Sequence, residues 1–370
     1  MVSTSQITVV FGSRPEAIKL GPCVAALRAS KIPVQVICTG QHTDLLKGTP
    51  AETDLADCEN LGIRTTGEAV KWLHLALPVV QDALIRHHVS MVVVQGDTMS
   101  ALVGAQAAAE IGIPVVHIEA GIRSGDLSDP WPEERFRREI TQLATYHFAP
   151  TLCAYDNLVA DGVYADNIFL TGNPIVSAIQ RYTCEVPVKV PDMVILFTMH
   201  RREWILGGIK GVLEGFMESA LRYPEIEIVW PVHPGVSKQI PDAWVRSLPA
   251  NVRLISPMAY RPAIRLLARS LGVATDSGGL QEESAILGVP CAVVRHVTDR
   301  PESIEAGVAR LFSPDSEGIQ AALVALRERT ILRQPTDLYG TVGSANKIAV
   351  LLGNLSHGAK TQITSSIAQK

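Results

Sequence analysis

No run of 18 apolar residues occurs in the 370-residue chain, so no segment has the length of a membrane-spanning helix. Positive charge is not in excess either. Lysine and arginine number 33 against 37 acids, a formal net charge of −4. That balance argues against nucleic acid or an anionic membrane surface as partner. An anionic ligand would have to be met by locally placed cations. The six cysteines (23, 38, 58, 153, 184, 291) form no C-x-x-C pair. This speaks against structural zinc and a disulfide framework, and for reduced thiols in a cytoplasm. The start, MVSTSQITVVF, has no basic lead and too short an apolar run for a signal peptide. The expected location is cytoplasmic.

What the chain does have is a rhythm. Apolar residues make up 47% and charged ones 19%, as in a globular protein with a well-filled core. Short, mostly β-branched runs at 7–11, 34–38, 91–95 and 114–118 alternate with helix-like segments at 15–30, 67–88 and 98–111. Runs of this kind suit parallel strands buried on both faces. The rhythm restarts at 193–197, 226–230, 252–256, 271–275 and 290–294. Two βαβ halves are expected, with a hinge near TGNPIV (171–176) and a proline-bearing stretch (Pro174, Pro187, Pro191) after it.

In doubly wound sheets, ligands bind beyond the carboxyl ends of strands, so the loops there are the ones to read. FGSRPEAIK places Arg14 and Lys19 near a helix start, either as anion ligands or as solvated cations. In QGDT, Asp97 is a helix cap or a catalytic carboxylate. In VVHIEAGIRSGD, strand alternation puts His117 and Glu119 on one face. In DPWPEERFRRE, two prolines stiffen the approach to a helix whose first turn holds Glu133 and Glu134. His200, Arg201 and Arg202 cluster after VILF, as a diphosphate clamp or a solvated turn. TDSGGLQEE offers the backbone N–H groups of Ser277, Gly278 and Gly279 to a phosphate, with Glu283 one turn on. Arg295 and Arg300 follow the next strand.

These motifs, with PVHP and TDRPE, occur in the order seen in non-hydrolysing UDP-N-acetylglucosamine 2-epimerases, and the chain resembles that family over about residues 7–350. The resemblance implies an α/β protein of two Rossmann-like domains facing a cleft, a GT-B-like fold. It implies an N-terminal domain at 1–171 and a UDP-binding domain at 172–341. A helix at about 342–355 would pack back on the first domain, ahead of a flexible tail at 356–370. It implies a UDP-sugar substrate, no metal or redox cofactor, and a homodimer. The implied reaction interconverts UDP-N-acetylglucosamine and UDP-N-acetylmannosamine through elimination of UDP, a 2-acetamidoglucal, and re-addition. Carried over residue by residue, Asp97, Glu119 and Glu133 are the acid/base carboxylates and His200 the active-site histidine. Arg14 and Lys19 are the first-domain cations. His233, Ser277, Gly278, Gly279, Glu283 and Arg300 contact UDP.

The chain also departs from the family pattern. Ser13 stands for Thr. Arg135 and Phe136 stand for a small residue and Asn. Pro174 to Ser177 replaces Thr-Val-Ile-Asp, Trp204 stands for Asn or Ser, and Ala263 for an aromatic. PVHPG is shortened, and the glutamine loop used for allosteric UDP-N-acetylglucosamine is missing after residue 60. A change of sugar substituent is expected first at Arg135–Phe136. The competing readings are a hydrolysing epimerase, a GT-B glycosyltransferase and a non-catalytic nucleotide-sugar sensor.

Overall fold

The computed structural model describes residues 6–40, 46–64, 69–183, 191–201, 204 and 208–367. The chain divides into two compact units, Met1–Ala178 with Tyr339–Lys370, and Ile179–Leu338. The first contains β1 (Gln6–Phe11), β2 (Val34–Cys38), β3 (Glu59–Asn60), β4 (Val89–Gln95), β5 (Val115–Ile118), β6 (Tyr146–Ala149) and β7 (Ile168–Leu170). The second contains β8 (Val194–Thr198), β9 (Glu227–Pro231), β10 (Val252–Ile255), β11 (Gly272–Thr275), β12 (Cys291–Val294) and β13 (Ala309–Phe312). Strand order is β3-β2-β1-β4-β5-β6-β7 in one sheet and β10-β9-β8-β11-β12-β13 in the other. Counted from its own first strand, each begins 3-2-1-4-5-6, the doubly wound order. The pairings within both sheets are parallel. Two Rossmann-like units in one chain make the fold GT-B-like.

Every strand run expected from the sequence appears. The β-branched runs pack as period 2 requires. Ile7, Val9 and Phe11 face Leu20, Val24 and Leu27 of helix Arg14–Ala29, with Ile348 and Leu352 of helix Ser344–Ile367 beside them. Val10 faces the opposite way, with Val92, Val94 and the alanines of helix Met99–Glu110. Each fully buried side chain of this size contributes about 1.5–3 kcal/mol, and burial on both faces is what removed polar alternation from these runs. Among the described residues, no helix is long and apolar enough to cross a membrane.

Two expected boundaries differ. The break between units falls at 178/179, not 171/172. Asn173 N donates to Tyr339 O at 2.7 Å, Ser177 Oγ to Val342 O at 3.0 Å, and Ala345 N to Ser177 Oγ at 3.4 Å. These bonds tie the start of helix Ile175–Thr183 to the returning C-terminal segment. Pro187 of the expected linker lies outside the described residues. The C-terminal helix is longer than the sequence indicates. It runs from Ser344 to Ile367, through most of the stretch expected to be a tail, and 368–370 lie outside the described residues.

Candidate active site

In the first unit the switch of strand order lies between β1 and β4, and β4 pairs with β5. The loops after these three strands carry the chemistry. Gly12 follows β1, where a Cβ would collide with Ser100 Oγ and Thr39 Oγ1. Ser13 caps helix Arg14–Ala29, and Glu16 closes a capping box. Glu16 Oε2 accepts from Gly12 N at 3.1 Å and Ser13 N at 2.7 Å, and its Oε1 accepts from Thr98 Oγ1 at 2.7 Å. One buried carboxylate thus joins the β1 loop to the β4 loop. Burial pushes its carboxyl up to about 7, against the opposing effect of these donors. The S-x-x-E spacing of Ser13 and Glu16 signals this cap in the sequence, but not the bond from Thr98, 82 positions on.

One turn on, Lys19 Nζ lies 2.6 Å from Glu119 Oε2, with both side chains less than a tenth exposed. Gln95 Nε2 donates to the same oxygen at 2.7 Å. Glu119 has φ 65°, a left-handed conformation uncommon outside glycine and a mark of functional sites. That twist ends the strand alternation. His117 therefore does not share a site with Glu119, contrary to the period-2 expectation. Its ring is buried, with Nε2 2.7 Å from Gly96 O, and burial pushes the imidazole down to about 3. It is a neutral ring supporting the turn before Asp97.

Asp97 Oδ2 receives Arg137 Nε at 2.7 Å and Nη2 at 2.6 Å. Arg137 Nη1 lies 3.3 Å from Glu134 Oε2, which also accepts from Ser124 N at 3.1 Å. Glu134 is fully buried. It locks the 124–134 loop to the helix, a larger role than the helix-dipole partner expected for it. Glu133, half-buried, sits beside it in the first turn of helix Glu133–Leu143. Arg14 is exposed. Phe136 is buried in the cluster of Ala101, Ala105 and Ile140, and Arg135 pairs with Glu139 on the exposed side. The pair expected to tune the substrate thus consists of a core side chain and a surface ion pair. Arg137 and Gln95, both holding candidate carboxylates, were missed because their partners are remote in sequence.

The second unit has its own switch between β8 and β11, joined at Thr198 Oγ1 and Thr275 Oγ1, 2.6 Å apart. His200 and Arg201 follow β8, and Asp276 follows β11. Asp276 is fully buried. Its Oδ2 accepts from His200 N at 2.8 Å, Arg201 N at 2.9 Å and Trp204 Nε1 at 3.0 Å, and its Oδ1 lies 2.7 Å from His200 Nδ1. Burial alone would raise the carboxyl, but the His200 charge and these donors outweigh it and hold it below the usual range. Trp204 belongs to the core beneath. Arg202 and Glu203 of the HRRE motif lie outside the described residues.

Ser277 caps helix Gly278–Leu287, and its Oγ accepts from Leu280 N at 3.4 Å. The first helical N–H groups have no intrahelical acceptor, which makes this end suited to an anion. A Cβ on Gly278 would lie 3.5 Å from the Arg300 guanidinium, which places that cation at the helix start. Arg300 is buried between acids, with Nε and Nη2 each 2.7 Å from Glu282 Oε1 and Nη1 2.9 Å from Asp299 Oδ2. Arg295 completes the network through Asp299 at 2.7 Å. Glu283 is nearly buried on the next position of the helix. His233 is exposed, and its Nδ1 accepts from Gly235 N at 3.1 Å. Partial burial, then the His200 charge, hold its imidazole below the ordinary value.

Within the first unit, then, Lys19 and Glu119 touch directly, and Asp97 is tied through Arg137 to Glu134, the sequence neighbour of Glu133. Within the second, His200 and Ser277 flank Asp276, and Arg300 adjoins Gly278. The family model described as UDP-N-acetylglucosamine 2-epimerase matches residues 25–353. The UDP-N-acetylglucosamine 2-epimerase of Escherichia coli (strain K12) is 33% identical over 370 aligned residues, covering 94% of this chain and 98% of the relative. The crystal structure of the Neisseria meningitidis UDP-GlcNAc 2-epimerase bound to UDP-GlcNAc is 32% identical, with TM-score 0.86 over 94% of this chain and 99% of that one. The Methanocaldococcus jannaschii enzyme in complex with UDP-GlcNAc and UDP is 31% identical, with TM-score 0.84 over 94% and 99%. With the family model matched over 25–353 and a relative 33% identical along 94% of this sequence, the chain belongs to the UDP-N-acetylglucosamine 2-epimerase family.

Proposed function

We propose that the chain is a non-hydrolysing epimerase that interconverts UDP-N-acetylglucosamine and UDP-N-acetylmannosamine, or a modified UDP-HexNAc, by inversion at C2. One observation carries most of this reading. A buried carboxylate, Glu119, is held in a left-handed turn by Lys19 and Gln95 at the end of a strand paired with the one that delivers Asp97. Strain and buried acids gathered at a switch point are what proton transfer needs. A carboxylate among Asp97, Glu119 and Glu133 takes the C2 proton. The C2–H electrons form the C1=C2 bond of the glucal, and the C1–O bond breaks with its electrons leaving on UDP. Another carboxylate then protonates C2 from the opposite face, and the diphosphate oxygen rebuilds the bond at C1. Each half-reaction is the reverse of the other in kind, so no net redox change or water is required.

The second unit supplies the nucleotide side of the reaction. The N–H groups of Gly278 and Gly279 suit the diphosphate, the Ser277 N–H being donated to Thr275 Oγ1 at 3.0 Å, and His200 stabilises the charge that develops on its leaving oxygen. Glu283 suits the ribose hydroxyls. The relatives' structures contain UDP-GlcNAc, in one case together with UDP, which supports a nucleotide-sugar ligand. Arg300, paired with two acids, contributes shape and field near the helix start more than net charge. A homodimer acting on a cytoplasmic nucleotide-sugar pool carries over from the family. Incubation with UDP-HexNAc substrates in D₂O tests the proposal. Deuterium at C2 is expected in both epimers, and no exchange with any of them refutes it. Stoichiometric free UDP would point to hydrolysis instead.

A further inference from the structure

We propose that Asp276 is a positioning residue that fixes the orientation of His200, holding a proton on Nδ1 so that Nε2–H of the imidazolium points to the substrate's leaving diphosphate. The inference rests on the epimerase reading for its consequence, but not for its geometry. The Asp276 carboxylate is closed off from solvent, and the three hydrogen bonds it accepts fall on Oδ2. Two backbone N–H groups and the Trp204 indole point at Oδ2, and the His200 ring stands at Oδ1. With Oδ2 facing three donors, the carboxylate is ionised and acts as acceptor only. The ring nitrogen facing an ionised carboxylate is the one that carries the proton.

The arrangement also restrains rotation. The same carboxylate binds the backbone N–H of His200 and lies against its ring, so the side chain is held at both ends of its short stem. The outward part of the ring remains accessible, since the His200 side chain is about half exposed. Asp276 directly precedes Ser277, the cap of helix Gly278–Leu287. The histidine is therefore referenced to the helix start that takes the diphosphate in the proposed function. Among the described residues, the other charged groups in reach are His233, whose loop adjoins this pair, and Arg201, whose Nε donates to Asp276 O at 3.1 Å. Trp204 is the donor that this chain has where its family usually has a small polar residue. A full core indole completes the cage from below.

The experiment is ¹⁵N-histidine NMR on the full-length protein, with His200 assigned by its loss in His200→Gln, together with kinetics of Asp276→Asn. In the parent, His200 is expected to keep a protonated Nδ1 across the neutral range. In Asp276→Asn it should titrate at lower pH and populate the Nε2–H tautomer. Turnover should fall about 10- to 100-fold, the size seen when the carboxylate that orients a metal-ligating histidine is lost, with KM changed little. Parent His200 found as the neutral Nε2–H form overturns the proposal, even if the variant does not fold. So does a folded Asp276→Asn with parental turnover and titration. Failure of C2 exchange in the parent would refute the epimerase reading and leave the NMR result standing separately.

Discussion

Substituting Glu16 by Gln should make the protein more stable at alkaline pH and leave it unchanged near pH 4. Glu16 is 1% exposed and spans Gly12, Ser13 and Thr98. Its folded value of about 7 lies above the ordinary 4.5. The folded chain therefore retains a proton that the unfolded chain gives up in that window. Stability from this group is fully present below pH 4.5 and lost as pH rises through about 7. At about 1.4 kcal/mol per pH unit, the loss is about 3 kcal/mol. Gln keeps an oxygen for the two backbone N–H groups and turns its amide toward Thr98 Oγ1, which can accept. It has no charge to desolvate. For a unit of about 200 residues, 3 kcal/mol corresponds to about 6–12 °C in Tm. Calorimetry of both proteins from pH 4 to 8.5 should show curves that coincide at the acid end and diverge by that amount at the alkaline end. A constant offset across the range, or a variant less stable at pH 8.5, refutes the reasoning.

Asp97→Asn, Glu119→Gln and Glu133→Gln should each lower turnover by about 10²–10⁴-fold while UDP binding by calorimetry stays near parental; near-native rates in all three would end the proton-transfer assignment. Phe136→Ala should cost about 3–5 kcal/mol of stability in a denaturant titration without changing which UDP-HexNAc is accepted, because the ring lies in the core cluster beside Ala101 and Ile140. A shift in substrate preference would restore Phe136 as a specificity residue.

How legible this was in the sequence depended on what each residue answers to. The long β-branched runs could be read as strands because burial on both faces leaves a continuous apolar signature. β3, β6, β7 and β13 were not read. β3 has two residues, β6 begins Tyr-His, and β7 and β13 are short edge strands. Their pairing comes from neighbours, not from their own composition. At the candidate site, the residue types and loops were readable because the doubly wound fold places chemistry after strand ends. Pairings were not. Period 2 failed at Glu119 because its backbone turns left-handed one residue past β5. Asp276 lies inside the TDSGG motif, but its three donors and the His200 ring come from the loop after β8, invisible to local spacing. Phe136 read as a departure at the site because sequence position alone does not tell which face of helix Glu133–Leu143 it occupies.

The placement of both clusters at a switch of strand order has a kinetic meaning. Lys19 and Glu119 are 100 positions apart, Glu16 and Thr98 are 82, and His200 N and Asp276 are 76. Contacts of such long separation close late, after the intervening crossover has formed. Neither cluster can therefore be assembled from a contiguous peptide, and a nascent chain shorter than 119 residues has not yet made the acceptor for Lys19. Competence for chemistry arrives with completion of each sheet, so a regain-of-activity trace during refolding would time the last crossover and not the first helix.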